Sequence, residues 1–526
     1  MIVKILPEIQ KLYIQECTLE EHKSLKNYIN FHAKNYRFDK RFKLGIWDGK
    51  VHFYGDDRFV PIGLWREVYK CCQECGYQLN ILNPQDFPLN RNITSGDMAA
   101  FADTFFKYHR TKDNSGPFTP RGYQTEAAFN ILKNRYCNTE IATSGGKSVT
   151  FAMVVFYMLR YVDPDARFLL VVPTSTLVRQ FYDDIIDYNY GFHNENPDPL
   201  NIRLEEIMSD KPRRLAPGEP LPHVYIGTYQ SLCKYPSEWF AQFTGVCFDE
   251  AHGAKSSSVQ KIGNNCIPHT YIRCGMSGTF PEEDSAELMA IYSITGPIIT
   301  KIKAKKLMDS GAITQVKIKR VLIDHNDRDF HERVNTIRKG DGKKAFDIEV
   351  AYIQDSMLRL NLVYKICDAA KTNTLVLFKN IEYGKRIFDK LSELGLDNKK
   401  RVYYIDGNTK EDERGAIKQQ MELTDVPAIL VASYGTLSTG VSINAIQNVV
   451  LADSYKSYQK VIQAIGRALR LHKLKAMAYI FDLCDRFTFD KNIKDNALFV
   501  HAKERKKMYD REEYPYEDVL VRLKND

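Results

Sequence analysis

Short apolar runs rich in β-branched residues alternate with longer segments of helical character from about Asp163 onward. This alternation predicts strand–helix–strand units and parallel sheets. The first set of predicted strands comprises Phe168–Pro173, His223–Thr228, Gly245–Glu250 and Ile272–Thr279. The second set comprises Thr374–Phe378, Arg401–Asp406, Ala428–Ser433, Asn448–Asp453 and Met477–Asp482. Two sets imply two α/β domains.

Changes of composition divide the chain further. Thr111–Pro120 has the composition of a linker and separates an N-terminal module from the α/β pair. The proline-rich residues 194–222 interrupt the first domain as a surface insertion, and the basic segment Lys301–Lys344, with its KGDGKK run, indicates a connector with room for one strand. The predicted boundaries are 1–110 for an α+β module, 111–300 for the first α/β domain, 301–345 for the connector, 346–495 for the second α/β domain and 496–526 for a charged tail of helical composition.

Composition limits the class of protein. The 526 residues are 44% hydrophobic and 27% charged, and no apolar run approaches the roughly 18 to 20 residues that cross a bilayer. The N-terminus lacks the pattern of a signal peptide, so a cytosolic protein without membrane contact is predicted. The net charge of +8 permits a polyanionic partner.

The cysteines predict no disulfide framework, because their number, eleven, is odd and they are spread over a long chain. Cys71, Cys72 and Cys75 form the one cluster. A closed zinc site needs four ligands, and no second pair lies at zinc-finger spacing. We therefore expect reduced thiols and no zinc site.

The segment ATSGGKS, Ala142–Ser148, follows a short apolar run and precedes the helical pattern VTFAMVVFYML. A turn of small residues between strand and helix lets backbone N–H groups face a polyphosphate. Lys147 would then reach the β and γ phosphates, and Ser148 would ligate Mg²⁺. The segment departs from the strict P-loop pattern because Ile141 stands where the first glycine is expected. A solvated glycine-rich turn is the alternative.

The segment CFDEAHG, Cys247–Gly253, places two carboxylates where a buried strand is predicted to end. Asp249 would hold Mg²⁺ through water, and Glu250 would orient and polarise the attacking water. A DE pair alone is usually a solvated strand end, but its position downstream of a P-loop makes the pairing specific. His252 is predicted to couple hydrolysis to the neighbouring domain.

The segment QAIGRALR, Gln463–Arg470, lies in the second α/β domain. Arg467 and Arg470 are three residues apart, so a helix would place both on one face. Their guanidinium groups could stabilise charge on the transferring phosphoryl group, as an arginine finger does. A solvated basic helix is the alternative when this segment is read alone.

Together with RGYQ (Arg121–Gln124), VVPTSTLVRQ, IGTYQSL, SGT and ASYGTLSTGVSI, these segments form an ordered series that resembles the motifs of superfamily 2 helicases. The resemblance implies two RecA-like parallel-sheet domains in tandem, an α/β fold, preceded by a small α+β DNA-binding module. It also implies ATP and Mg²⁺ as cofactors.

The resemblance assigns roles by position. ATP-binding residues would be Arg121, Gln124 (at the adenine), Thr143, Ser144, Gly145, Gly146, Lys147, Ser148 and Gly440. Catalysis would fall to Lys147, Asp249, Glu250, Gln463, Arg467 and Arg470, and coupling to His252, Ser277 and Thr279. Contacts to the tracked strand would come from Thr174, Arg179, Thr228 and Thr436. SGT replaces the commoner SAT.

The stretch YRFDKRFKLGIWDGK, Tyr36–Lys50, mixes basic and aromatic residues. Such a mixture is typical of a nucleic-acid surface, because cations neutralise phosphates and rings stack on bases. The alternative is an ordinary strand pair joined by the WDGK turn, with Phe42 and Trp47 in the core and the charges solvated. A hairpin could do both. The residues predicted to grip a duplex arm are Arg37, Lys40, Arg41 and Lys43.

This N-terminal stretch is similar to the corresponding module of phage recombination helicases within the superfamily. The similarity implies 3′ to 5′ translocation on single-stranded and branched DNA, including Holliday junctions, D-loops, R-loops and stalled forks. RNA–DNA hybrids and single-strand-binding or recombination proteins are further expected partners, in the host cytoplasm. The alternatives are a DEAH-type RNA helicase and an ATP-dependent DNA-binding switch that does not unwind.

Overall fold

The structure is a computed structural model. It describes residues 1–107, 109, 118–191, 196–208, 218–325, 327–396, 400–422, 426–438, 445–454, 461–462, 465–466, 477–487 and 494–522. The chain forms two compact units, one of Met1–Ile141 with Gly146–Ile302 and the other of Ala142–Gly145 with Lys303–Asp526. No helix among the described residues is long and apolar enough to cross a membrane.

The N-terminal module combines a small mixed sheet with short helices. Its strands are β1 (Ile2–Leu6), β2 (Lys11–Glu16), β3 (Phe31–His32), β4 (Lys50–Val51), β5 (Phe59–Pro61) and β6 (Asn80–Ile81). Its helices are α1 (Leu19–Tyr28), α2 (Lys40–Lys43), α3 (Trp65–Cys75) and α4 (Ser95–Phe105). Among the described residues, the main sheet has the order β5-β2-β1-β6, and β3 pairs with β4.

The first α/β domain is built on one parallel sheet. Its strands are β7 (Tyr136–Ile141), β8 (Phe168–Val172), β9 (Leu204–Ile207), β10 (Val224–Thr228), β11 (Gly245–Asp249), β12 (Ile272–Ser277) and β13 (Ile298–Ile302). Its helices are α5 (Gly122–Asn134), α6 (Lys147–Tyr161), α7 (Ser175–Tyr190), α8 (Tyr229–Leu232), α9 (Ser257–Cys266) and α10 (Ala286–Thr295). Within the described ranges the strand order is β13-β7-β12-β11-β8-β10-β9.

Both faces of this sheet are buried. Leu169 and Val246 belong to one apolar cluster, whereas their neighbours Leu170 and Cys247 belong to another. Successive side chains of a strand point to opposite faces, so a strand covered on both faces must be apolar throughout. This is why the strands appear in the sequence as uninterrupted apolar runs.

The second unit has its own parallel sheet. Its strands are β14 (Gln315–Asp324), β15 (Thr374–Phe378), β16 (Arg401–Ile405), β17 (Ala428–Ser433), β18 (Asn448–Leu451), β19 (Met477–Arg486) and β20 (Tyr516–Arg522). Its helices are α11 (Ala304–Asp309), α12 (Arg328–Gly340), α13 (Gly342–Asp355), α14 (Met357–Ala369), α15 (Ile381–Leu396), α16 (Glu411–Glu422), α17 (Tyr434–Ser438) and α18 (Ala497–Glu512). In the described part of the chain the order is β16-β17-β15-β18-β19-β14-β20.

The predicted fold class, two parallel-sheet α/β domains preceded by a small α+β module, is confirmed. Strand β14 lies inside the segment predicted as a connector, and β20 lies inside the predicted tail. Both strands belong to the second sheet, where β14 pairs in parallel with β19 and β20.

The alternative considered for Tyr36–Lys50, a strand pair joined by the WDGK turn, does not form. Tyr36–Phe38 forms a 3-10 turn, and Lys40–Lys43 is the short helix α2. The Asp39 side chain accepts a hydrogen bond from the Arg41 amide at 2.8 Å, which caps the helix start. A local cap of this kind competes with strand pairing, so only the flanking strands β3 and β4 pair.

The N-terminal module packs closely on the first α/β domain. Residues such as Ile14, Val60 and Leu64 share one apolar cluster with Phe248 and Tyr292. A Cβ built on Gly63 would collide with the carbonyl oxygen of Tyr292. Only glycine permits this approach, so the module and the domain form one continuous core.

Candidate nucleotide and nucleic-acid sites

The glycine-rich turn follows the buried strand β7 and leads into α6, which begins at Lys147. Gly146 has a φ of 84°, a left-handed conformation. A Cβ built on it would collide with the side-chain amide of Gln124. The motif glutamine thus lies against the turn, which leaves no room for a side chain at Gly146.

Ser148, in the first turn of α6, contacts the end of α7. The Ser148 hydroxyl lies 3.1 Å from the phenolic oxygen of Tyr188, a residue of α7. Tyr188 also stacks on Phe118, with ring centroids 5.7 Å apart. Tyr188 is absent from the predicted site residues, because no local sequence signal relates the end of α7 to the start of α6.

Asp249 ends strand β11 and is buried. Its Oδ1 atom has no hydrogen-bond partner among the described residues. Burial and the neighbouring Glu250 carboxylate raise the pKa of Asp249 to about 7. A buried carboxylate oxygen without a partner is costly unless a cation or water binds to it.

Glu250 has a φ of 48°, a rare conformation for a residue with a side chain. Burial alone would raise its pKa, but the nearby Lys147 and His252 lower it to about 2. Its Oε2 atom lies 3.2 Å from Nδ1 of His252. The carboxylate is therefore held ionised, as a group that accepts a proton from water must be.

The predicted coupling residues meet at Glu250. Nδ1 of His252 lies 2.9 Å from the Ser277 hydroxyl, and that hydroxyl lies 3.3 Å from Oε2 of Glu250. The hydroxyl also donates to the carbonyl oxygen of Thr279 at 2.7 Å. Because Nδ1 faces a carboxylate, it carries the hydrogen. One network thus joins the DEAH and SGT segments.

Two of the residues predicted to contact the tracked strand lie at strand ends. Thr174 follows β8 and Thr228 is the last residue of β10, and each hydroxyl caps the next helix by accepting from the amide of Leu177 or Ser231. The Arg179 side chain is exposed. In the second unit, Thr436 is buried and its hydroxyl lies 2.7 Å from that of Ser433. Four further site predictions, Gly440, Gln463, Arg467 and Arg470, lie outside the described residues.

The segment Tyr36–Lys50 exposes its cations. Arg37 contacts the Tyr36 ring and Arg41 lies over Trp47, with guanidinium-to-centroid distances of 5.6 and 4.9 Å. Arg41 also pairs with Asp39 at 2.9 Å. Lys40 and Lys43 are exposed. Rings and cations therefore form one surface.

The same segment exposes apolar side chains. Phe38, Leu44 and Ile46 are 78%, 71% and 73% exposed. Isolated apolar residues at the surface are ordinary, but three within nine residues form a patch. Cations that flank such a patch suit a partner that offers both phosphates and apolar base faces.

The cysteine cluster belongs to the core of the module. Cys71 and Cys72 are buried, Cys75 is exposed, and burial raises the pKa of Cys71 to about 12. No group of three or more His, Cys, Asp or Glu residues in the described ranges could hold a metal ion.

The residues around the glycine-rich turn fit ATP and Mg²⁺. The unpartnered oxygen of Asp249 suits a hydrated cation, and Ser148 offers a hydroxyl at the start of α6. The turn leads directly into the N-terminus of α6, where backbone amides favour a phosphate.

Family models match most of the chain. Residues 9–82 match "DNA helicase UvsW, N-terminal", residues 121–288 match "DEAD/DEAH box helicase", and residues 355–472 match "Helicase conserved C-terminal domain". These domains on two parallel sheets define a superfamily 2 helicase.

The ATP-dependent DNA helicase uvsW of Enterobacteria phage T4 is 30% identical over 527 residues, which cover 97% of each protein. The chain belongs to the UvsW family of ATP-dependent DNA helicases.

Solved structures were compared as well. The crystal structure of T4 UvsW covers 99% of both chains at 26% identity with a TM-score of 0.47. A fragment of a putative HsdR subunit of a type I restriction enzyme from Vibrio vulnificus is 18% identical, covers 87% of this chain and 74% of its own, and has a TM-score of 0.53. The latter likeness concerns the fold alone.

Proposed function

We propose that this helicase translocates 3′ to 5′ along one DNA strand and remodels branched nucleic acids in phage recombination, repair and replication. Its substrates would be Holliday junctions, D-loops, R-loops and stalled forks. The observation that carries the proposal is the exposed patch of Phe38, Leu44 and Ile46 among cations in a module fused to the motor domain. The relative in phage T4 supports the phage context.

The hydrolysis chemistry follows from the residues around the glycine-rich turn. Lys147 binds the terminal phosphates, and Asp249 and Ser148 hold Mg²⁺. When bound, Mg²⁺ neutralises charge on the phosphates. Glu250, kept ionised by its neighbours, orients water and accepts its proton.

The network around Glu250 would connect hydrolysis to DNA. Ser277 touches Glu250, His252 and the backbone of Thr279, so a change at the carboxylate reaches the end of strand β12. Arg467, Arg470 and Gln463 keep the hydrolytic roles, and Gly440 the nucleotide-sensing role, that their motifs predict.

The N-terminal patch would act at the branch point. Arg37, Lys40, Arg41 and Lys43 neutralise phosphates of a duplex arm. The apolar side chains insert where base pairs separate, as apolar wedges do in other DNA-binding proteins. Expected partners are single-stranded and branched DNA, RNA–DNA hybrids, and single-strand-binding or recombination proteins in the host cytoplasm.

ATP turnover tests the motor. The purified protein is assayed without nucleic acid, with single-stranded DNA, with a four-way DNA junction and with RNA. We expect the strongest stimulation with the junction and none in the Glu250→Gln variant. Stimulation by RNA alone would instead favour an RNA helicase, and stimulation by nothing would favour a switch that does not unwind.

A second experiment tests the patch. The triple variant Phe38→Ser, Leu44→Ser and Ile46→Ser should unwind forked DNA more slowly, by roughly tenfold, at unchanged single-strand ATPase. Charge reversal at Arg37, Lys40 and Arg41 should weaken junction binding and flatten its salt dependence. Charge reversal at exposed Lys4, Lys11 and Lys23 is the matched control. Equal effects of the two charge reversals would refute the assignment.

A further inference from the structure

We propose that the tip between α12 and α13, residues 338–344, is a second DNA-binding surface that contacts the phosphate backbone of a duplex. We call these residues the hairpin tip. The inference rests on the proposed function and adds to it a contact in the second unit. No motif of the helicase series includes these residues.

The hairpin tip carries cations without carboxylate partners. Lys339, Lys343 and Lys344 are exposed, and none of them forms an ion pair within the described ranges. Some surface lysines of this unit are paired, as in Lys303–Glu513, Lys390–Glu393 and Lys506–Asp510, whereas those of the hairpin tip are not paired in the part of the chain that the structure describes. The positive charge of the hairpin tip is therefore available to an external anion.

Two of these lysines lie where the dipole of their helix disfavours positive charge. Lys343 and Lys344 lie in the first turn of α13, where the macrodipole is positive and acidic residues are favoured. The Asp341 side chain accepts hydrogen bonds from their backbone amides at 3.0 and 2.9 Å. Asp341 thus caps the helix but forms no ion pair with either side chain among the described contacts.

Two glycines at the hairpin tip are not required by the fold. Gly340 ends α12 and Gly342 begins α13, and neither has a left-handed φ. A Cβ built on either residue would meet nothing within 4 Å. Glycine in a helix weakens it, so the absence of side chains here favours a partner that approaches the backbone closely.

The hairpin tip is held firmly. Arg338 donates to Oε2 of the buried Glu349 at 2.6 Å. Oε1 of Glu349 accepts from the Leu498 amide and the Asn496 side chain, each at 2.8 Å, at the start of α18. The hairpin is therefore tied to the C-terminal helix, and its lysines project from an ordered base.

The chemistry of the hairpin tip favours duplex DNA. Protein interfaces are enriched in aromatic residues and depleted of lysine, and residues 339–344 contain no apolar side chain. Grooves for single strands stack bases on aromatic rings, which the hairpin tip also lacks. Lysine as a point charge and an unobstructed backbone suit phosphates alone.

The experiment measures affinity for a blunt duplex at several salt concentrations. The variant Lys339→Gln, Lys343→Gln and Lys344→Gln should bind more weakly, by roughly tenfold, and lower the slope of log affinity against log salt by about 2 to 3. The control is Lys365→Gln, Lys371→Gln and Lys418→Gln, which removes the same charge from exposed positions of this unit. We expect the control to keep the wild-type slope.

A second variant separates binding from stability. Gly340→Ala with Gly342→Ala should raise Tm by about 1–4 °C, because alanine favours helix. The same variant should bind the duplex several-fold more weakly, because the added methyl groups obstruct the close approach. Higher stability at unchanged duplex affinity would contradict the role given to the glycines.

The outcomes distinguish this inference from the proposed function. If the wild type shows DNA-stimulated ATPase but the lysine variant keeps its salt slope, the hairpin tip is not a DNA contact. Equal losses in the lysine variant and its control would also overturn the inference, because only net charge would then matter. Absence of any DNA stimulation in the wild type would instead refute the proposed function.

Discussion

Each unit of the molecule buries a carboxylate, and the two carboxylates have opposite surroundings. Asp485, in the second unit, accepts from Nε of Arg359 at 2.8 Å and from Nη2 at 2.9 Å, and it faces His325 at 2.9 Å. Asp249, in the first unit, has an oxygen without any described partner.

The pKa values differ accordingly. Although burial opposes ionisation at both positions, Arg359 and His325 lower the pKa of Asp485, whereas burial and Glu250 raise that of Asp249 to about 7. A buried charge that is paired and hydrogen-bonded is compatible with a stable fold. A buried charge that lacks such partners is tolerated where a ligand binds to it. We therefore interpret the contacts of Asp485 as structural and the open oxygen of Asp249 as functional.

The largest expected effect concerns activity at the unsatisfied carboxylate. Asp249→Asn should lower DNA-stimulated ATP turnover by roughly 10³-fold, because it removes the charge that holds the cation. Circular dichroism should show an intact fold. Glu282→Gln, at an exposed position of the same unit, is the control and should retain activity. Near-normal ATP turnover in Asp249→Asn would contradict a functional role for this carboxylate.

The next effect concerns the stability of the second unit, where Asp485 pairs with Arg359. Arg359→Met should lower the free energy of unfolding of the second unit by about 3–5 kcal/mol, because it leaves the buried Asp485 charge unpaired. Urea unfolding followed by hydrogen–deuterium exchange of peptides from the second unit measures the change, because the three tryptophans lie in the first unit. Arg386→Met is the control, because its pair with Asp355 lies at the surface and should contribute less than about 1 kcal/mol.

A smaller effect concerns the coupling of ATP hydrolysis to DNA unwinding. Ser277→Ala removes the hydroxyl that joins Glu250, His252 and the backbone of Thr279. Base pairs unwound per ATP hydrolysed should fall by roughly tenfold, and ATP turnover should fall by less. Ser277→Thr keeps the hydroxyl and should restore part of the ratio. Parallel losses of turnover and unwinding would show that Ser277 serves catalysis alone.

The smallest effect is a change of stability at Asp249, opposite in sign to the change at Asp485. Asp249→Asn should raise Tm at pH 8 by about 1–3 °C, because it removes a buried charge that burial and the neighbouring Glu250 disfavour. Asp485→Asn should lower Tm at the same pH. Differential scanning calorimetry without nucleotide measures both, and two shifts of the same sign would contradict the distinction.

The two carboxylates should make the stability of the folded protein depend on pH in opposite directions. The folded state binds a proton at Asp249 more tightly than the unfolded state, so this group destabilises folding above pH 7 and ceases to do so as the pH falls towards 4. The advantage of Asp249→Asn should therefore shrink between pH 8 and pH 5. Asp485 has a lowered pKa, so its contribution is present above about pH 4 and is lost in stronger acid.

Sequence patterns predicted the regular elements best. Strands Thr374–Phe378 and Ala428–Ser433 have the predicted bounds, and the strand predicted at Gly245–Glu250 ends at Asp249. These strands are buried on both faces, so their apolar runs are visible without knowledge of their neighbours. The strand pair considered as the alternative for Tyr36–Lys50 does not form because Asp39 caps a helix there, and the sequence did not distinguish this cap from a turn.

The sequence by itself determined the fold class and the family, because hydrophobic periodicity and the order of the motifs can be read along the chain without its folded neighbours. The residues of the nucleotide site stay a prediction. The tertiary structure decided that β14 and β20 share one sheet, that Tyr188 meets Ser148, and that Glu250 joins His252 and Ser277. It also decided that one oxygen of the buried Asp249 has no hydrogen-bond partner among the described residues. Burial and pairing depend on residues far apart in the chain, so only the folded packing determines them.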